Sequence, residues 1–144
     1  FRSCPVIPVL VNVLQYPQPT AKRCYALGQA IGRAIQSYPD NIKVAIFGTG
    51  GMSHQLSGER AGLINETFDR MFLEKIQTDP LALTQISREE YIREAGSEGI
   101  ELIMWLVMRG AMNSSITRIT ETYHVPASNT AAALALFENS ESPS

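Results

Sequence analysis

Lys43-Val44-Ala45-Ile46-Phe47-Gly48-Thr49-Gly50-Gly51-Met52-Ser53-His54 runs from a short apolar segment, through a glycine-rich turn, to a histidine. Residues 43–47 read as a buried strand, and the expected fold is built from that reading. A strand that ends in a turn only glycine accommodates, with a polar side chain at its carboxyl end, is how open α/β sheets build their sites. The segment before it agrees. Residues 6–14 (VIPVLVNVL) are dense in β-branched and apolar side chains, as in a strand covered on both faces. Between the two, Thr20 is placed to cap a helix over residues 21–38, with Cys24, Leu27, Ile31, Ala34 and Ile35 as its buried stripe. Strand, helix and strand then form a parallel crossover unit.

Working outward, the spacing predicts an amphipathic helix over residues 65–77 with Phe68, Phe72 and Ile76 on one side, broken at Asp79-Pro80. Ser87 caps a short helix, with Glu90 as its capping-box partner, and Gly96 ends it. Residues 98–108 continue as an apolar helix in which Met104, Trp105 and Met108 read as core. Residues 116–125 alternate like a late strand, residues 126–129 turn, and residues 130–137 are apolar. The expected architecture is a single α/β domain over residues 1–138, three-layered (α/β/α) around a central, largely parallel or mixed sheet. Residues 139–144 are expected to be a disordered tail.

The bulk properties exclude several classes. With 144 residues and 44% hydrophobic content the chain can bury a core. A net charge of −2 offers no electrostatic footprint for nucleic acid or an anionic membrane. Cys4 and Cys24 form neither a metal motif nor a disulfide framework, which points to a reducing, cytoplasmic setting. Pro5 and Pro8 interrupt an N-terminal apolar run too short to span a bilayer. The chain begins at Phe1, and its first strand reads as an interior one, so the chain is expected to be the C-terminal portion of a longer protein.

His54 and His124 are the two histidines. His54, at the end of the glycine turn, is the candidate for moving a proton or binding a metal. Glu101 is the candidate carboxylate: it stands inside a helix immediately before an apolar run, where burial without a cationic partner is costly. Glu94 and Glu98 fit a solvated acidic helix start, Glu98 as surface or as support for the site. The GTGG turn lacks both phosphate-cradle patterns, GxxxxGKS/T and GxGxxG. Ser128 and Asn129 are turn-formers placed where a substrate could be touched. Arg60 and Arg93 are candidates for a substrate carboxylate, with exposed surface arginine as the plainer alternative. A metal site built from His54, His124 and Glu101 stays open on this reading.

Four blocks, in order, carry a resemblance: residues 48–55 (GTGGMSHQ), 60–65 (RAGLIN), 93–102 (REAGSEGIEL) and 123–130 (YHVPASNT). They resemble the catalytic β subunits of the class III extradiol ring-cleaving dioxygenases, the family that includes protocatechuate 4,5-dioxygenase and gallate dioxygenase. The resemblance implies a non-haem Fe(II) held by two histidines and one glutamate, with Glu101 as the glutamate. It places His54 beside the iron as an acid/base residue, and Ser128 and Asn129 near the bound aromatic acid. The two histidine ligands are then expected from an N-terminal half that these residues do not include. The implied reaction is extradiol cleavage of a di- or trihydroxylated benzoate, such as protocatechuate or gallate, with O₂. The implied partners are a second copy of the chain or a small α subunit. Rival readings are a non-enzymatic binding protein on the same fold and a metal-dependent hydrolase using Zn²⁺ and a bound water at Glu101.

Overall fold

The computed structural model describes residues 4–140, and its first four helices begin where side-chain caps stand. Thr20 Oγ1 accepts the Arg23 N–H at 3.2 Å and opens α1, Ala21–Gln36. Asn65 Oδ1 accepts the Phe68 N–H and opens α2, Glu66–Thr78. Asp79 caps α3, Pro80–Gln85, with Pro80 in the first turn, where its missing N–H costs nothing. Ser87 Oγ accepts the Glu90 N–H and opens α4, Arg88–Ala95, which stops at Gly96 with φ +99°. The expected helix over residues 98–108 is divided: a 3₁₀ turn, Gly99–Met104, leads into α5, Trp105–Ala111.

The packing of α1 differs from its expected stripe. Its buried residues are Ala21, Cys24, Gly28 and Gly32, whereas Leu27 and Ala34 are exposed. The reason is the close approach of α5. A Cβ on Gly28 would stand 2.1 Å from the Val107 carbonyl oxygen, and one on Gly110 would stand 2.2 Å from that of Tyr25. The two helices therefore touch backbone to backbone along a glycine seam, which an apolar stripe of larger residues would hold apart. On α2 the expected face is buried as read, through Phe68, Phe72 and Ile76. Phe72 meets both Tyr91 and Trp105 edge-on, the latter with ring centroids 6.2 Å apart. Met52, Leu83, Ile100, Leu102, Ile103 and Leu106 are among the residues that pack the interior with them. Met104, expected in the core, is half-buried against it.

The sheet departs further from expectation. Among the described residues it consists of β1, Ile116–His124, and β2, Ala132–Asn139, paired antiparallel from Ile116 opposite Asn139 to His124 opposite Ala132. The register shifts between Arg118 and Thr120. Helices with this hairpin are compatible with an α/β class, but no parallel pair is present among the described residues. Residues 6–14 and 43–47, read as strands, join no ladder. Strand structure requires a neighbour to take its N–H and C=O groups, and neither segment has one here. Val13 is buried and Val11 and Ile46 pack against the core, while Leu10 is 95% and Phe47 85% exposed. Asn139 and Ser140, placed by sequence in a disordered tail, are held: Asn139 Oδ1 accepts the Asn113 N–H and the Ser140 N–H donates to Ser115 O. The remainder of that tail, residues 141–144, lies outside the described residues. No helix among the described residues is long and apolar enough to cross a membrane.

Candidate active site

The glycine turn is gripped from several sides, and the grip delivers His54. The Met52 N–H donates to Ala131 O, and the Ala131 N–H donates to Ser53 O. His54 and Thr130 then form an isolated antiparallel bridge. From the other side the His54 N–H donates to Ala95 O at 2.7 Å, and the Gly99 N–H donates to His54 O. A side chain at Gly96 would collide with this arrangement, since its Cβ would lie 2.1 Å from His54 O. The end of α4, the 3₁₀ turn and the β1–β2 loop thus converge on one residue.

The imidazole of His54 is buried at 5% exposure, with Nδ1 2.8 Å from Met52 O. A carbonyl oxygen can only accept, so Nδ1 carries the hydrogen. In the neutral ring Nε2 is then the free lone pair, the form a general base requires.

Glu101 enters from the 3₁₀ turn. Its Oε2 accepts the Gly51 N–H at 3.1 Å, and its backbone packs so closely on Gly50, at φ +120°, that a Cβ there would lie 2.7 Å from Glu101 O. Trp105 completes the clamp, its Nε1–H donating to Gly50 O. Among the described residues Glu101 makes no ion pair, and its Oε1 has no hydrogen-bond partner. Gly51 is the meeting point: a Cβ on it would stand 3.1 Å from His54 Cε1. Glu98 holds the far end of the same loop, its Oε2 accepting the Leu56 N–H and the Ser97 hydroxyl. The Ser97 bond chiefly, with help from the Leu56 amide and nearby His54, holds the Glu98 carboxyl below its usual range against the opposing effect of burial.

The remaining sequence candidates separate. Ser128 and Asn129 are exposed in the β1–β2 loop, immediately before the Thr130 that pairs with His54. His124 is exposed at the end of β1. No group of three His, Cys, Asp or Glu side chains among the described residues is placed to hold a metal, so His54, His124 and Glu101 do not converge on one. Arg93 is engaged with Glu90 and Glu94 at the surface, and Arg60 donates to the Arg93 carbonyl.

One cluster went unread in the sequence. Asp69 is wholly buried and accepts three hydrogen bonds: from the Ser53 N–H at 2.8 Å, the Ser53 hydroxyl at 2.6 Å and the Tyr123 hydroxyl at 2.9 Å. Ser53 Oγ in turn accepts the Asn65 N–H. Burial raises the Asp69 carboxyl above its ordinary value, and the bonds from Ser53 and Tyr123 oppose that rise. The available signal was a carboxylate between Phe68 and Phe72, beside the apolar face of α2.

The chain is 48% identical over 134 residues to a gallate dioxygenase of Pseudomonas putida, a match covering 93% of this chain and 39% of that protein. It is 47% identical over 51 residues to a 2,3-dihydroxyphenylpropionate/2,3-dihydroxicinnamic acid 1,2-dioxygenase of Pseudomonas putida, covering 35% of this chain and 16% of the relative. A relative of the same kind from Mycobacterium ulcerans is 38% identical over 50 residues, or 35% of this chain and 15% of its own length. The chain thus spans well under half the length of these relatives. The family model described as the catalytic LigB subunit of aromatic ring-opening dioxygenase matches residues 1–134, and the chain belongs to that family.

Proposed function

We propose that this chain supplies the carboxylate ligand and the proton-handling histidine of a ring-opening dioxygenase that cleaves a hydroxylated benzoate, of the protocatechuate or gallate kind, outside its diol. The observation that carries this reading is the meeting of Glu101 and His54 at Gly51. Glu101 suits an Fe(II) ligand: an anionic oxygen donor aimed by a backbone N–H, with its second oxygen unengaged and no side-chain cation among the described residues neutralising it. Two further histidine ligands come from polypeptide outside this chain. When bound, the iron supplies open coordination positions for the diol and for O₂.

The chain's own residues do the rest. His54, its Nδ1–H anchored on Met52 O, takes a diol proton at Nε2 and returns it later. Burial of His54 keeps bulk water away from that proton. Ser128 and Asn129 orient the aromatic acid, which is supported by their loop lying against His54 through Thr130. In the same reading, residues 6–14 and 43–47 become strands of a central sheet in a three-layer fold, supported by the bare outer positions Leu10 and Phe47 beside the inward Val11, Val13 and Ile46. A second copy or a small α subunit borders the site, and the enzyme works in the cytoplasm.

The test is paired substitution in the complete enzyme containing this chain, with iron content and single-turnover ring cleavage both measured. Glu101→Ala is expected to lose iron and activity together. His54→Ala is expected to keep iron and bind the catechol, yet cleave on the order of 10²–10⁴-fold more slowly. Full iron content in Glu101→Ala, or an unchanged rate in His54→Ala, overturns the assignment.

A further inference from the structure

The Met52–Ser53 peptide group is bonded at both ends. Its carbonyl accepts the His54 Nδ1–H at 2.8 Å, and its N–H donates to Asp69 Oδ1 at 2.8 Å. We infer that Asp69 is a positioning residue for His54, acting through this peptide: the carboxylate fixes the tilt of the peptide plane and, through it, the tautomer and orientation of the imidazole. The inference rests on the reading of His54 as the group that moves a proton.

Three physical arguments support it. A peptide is planar, so anchoring its N–H fixes the direction of its C=O. A negative charge at the N–H end polarises the amide and strengthens the carbonyl as an acceptor, which favours the hydrogen on Nδ1 and leaves Nε2 free. The orienter is itself immobile. Asp69 is fully buried, and its second oxygen is held by the Ser53 and Tyr123 hydroxyls. Tyr123 is steadied by the Arg70 guanidinium, 4.3 Å above its ring. The Asn65 N–H donation to Ser53 Oγ directs the Ser53 hydroxyl hydrogen toward Asp69. Carboxylates commonly orient catalytic histidines by direct contact; here a backbone amide stands between the two.

The prediction separates positioning from plain structural support. Asp69→Asn keeps the side chain's shape and an oxygen for the Ser53 N–H, but removes the charge. Asp69→Ala removes both. Tyr123→Phe disturbs the same cluster while leaving the bond between Asp69 and the peptide in place. In long-range ¹H–¹⁵N spectra of the complete enzyme freed of iron, His54 should show the Nδ1–H tautomer in the wild type and in Tyr123→Phe. It should become a mixture in Asp69→Asn and shift further in Asp69→Ala. In the complete enzyme, Asp69→Asn should lower kcat on the order of 10–10²-fold with KM and iron content kept.

An unchanged His54 tautomer in Asp69→Asn overturns the inference, and so does a shift of equal size in Tyr123→Phe. If Asp69→Ala fails to fold, Asp69→Asn decides alone. The spectra read the imidazole directly, so their outcome is independent of the ring-cleavage rate of His54→Ala, which tests the proposed function.

Discussion

The backbone N–H of Gly51 donates to Glu101 Oε2 at 3.1 Å across a separation of 50 residues, so a main-chain bond joins the glycine turn to the carboxylate. The consequence is a site whose spacing depends on bare glycine backbone.

Gly51→Ala should therefore act on the histidine before it acts on the fold. The added methyl would meet His54 Cε1 and Thr130 Cγ2 at 3.1 Å and His54 Nδ1 at 3.2 Å, contacts a few tenths of an ångström too close. The expected cost is about 1 kcal/mol, with a displaced His54 resonance in the ¹H–¹⁵N spectrum. Gly96→Ala should be much worse. It combines a 2.1 Å clash with the His54 carbonyl oxygen and a positive φ of +99°, and should lose about 3 kcal/mol or more. Urea unfolding of the two variants checks the order; equal stabilities would contradict it.

Arg109 is 1% exposed and is satisfied by carbonyls instead of a carboxylate, donating to Ile76 O, Asn113 O and Ser114 O at 2.8–2.9 Å. It ties the C-terminal part of α2 to the segment that leads into β1. Arg109→Met should cost about 3 kcal/mol, because it leaves buried acceptors without donors. Arg109→Lys should recover little, since one ammonium cannot reproduce the geometry of the planar fork. Denaturant midpoints of both variants measure this, and a near-wild-type midpoint for Arg109→Lys would refute the role of the fork.

Cys24 is buried on α1 one turn before Gly28, and burial pushes its thiol from an ordinary value of 9.0 up to about 11, against an opposing effect of Arg23. Between those values the folded chain keeps the proton that the unfolded chain releases. The contribution of this thiol to stability is therefore complete below pH about 9 and is lost as pH rises toward about 11. Cys24→Ala should flatten that part of the stability profile. At pH about 8 a thiol reagent should modify exposed Cys4 rapidly and buried Cys24 only when α1 opens from the core. Equal rates for both thiols would mean that Cys24 is not buried in solution.

Relationships that span three or four positions are legible in the chain itself. Thr20 and Ser87 cap their helices through bonds to an N–H three residues on, and the Phe68, Phe72 and Ile76 face needs only helical periodicity. Glu101 could be singled out because a carboxylate before an apolar run is anomalous on local grounds. What the tertiary structure decided are the relationships with no local cause. Whether residues 6–14 and 43–47 are strands depends on a neighbour for their backbone groups, and the pattern of their side chains cannot supply one. Asp69 reads as one more polar residue of α2 until its partners, 16 and 54 residues away in sequence, close around it. Gly28 and Gly110 look like helix weaknesses until α1 and α5 meet across them. Caps and faces are settled by the geometry of a single turn of chain, whereas a buried charge or a close helix contact is settled by whatever the fold brings against it.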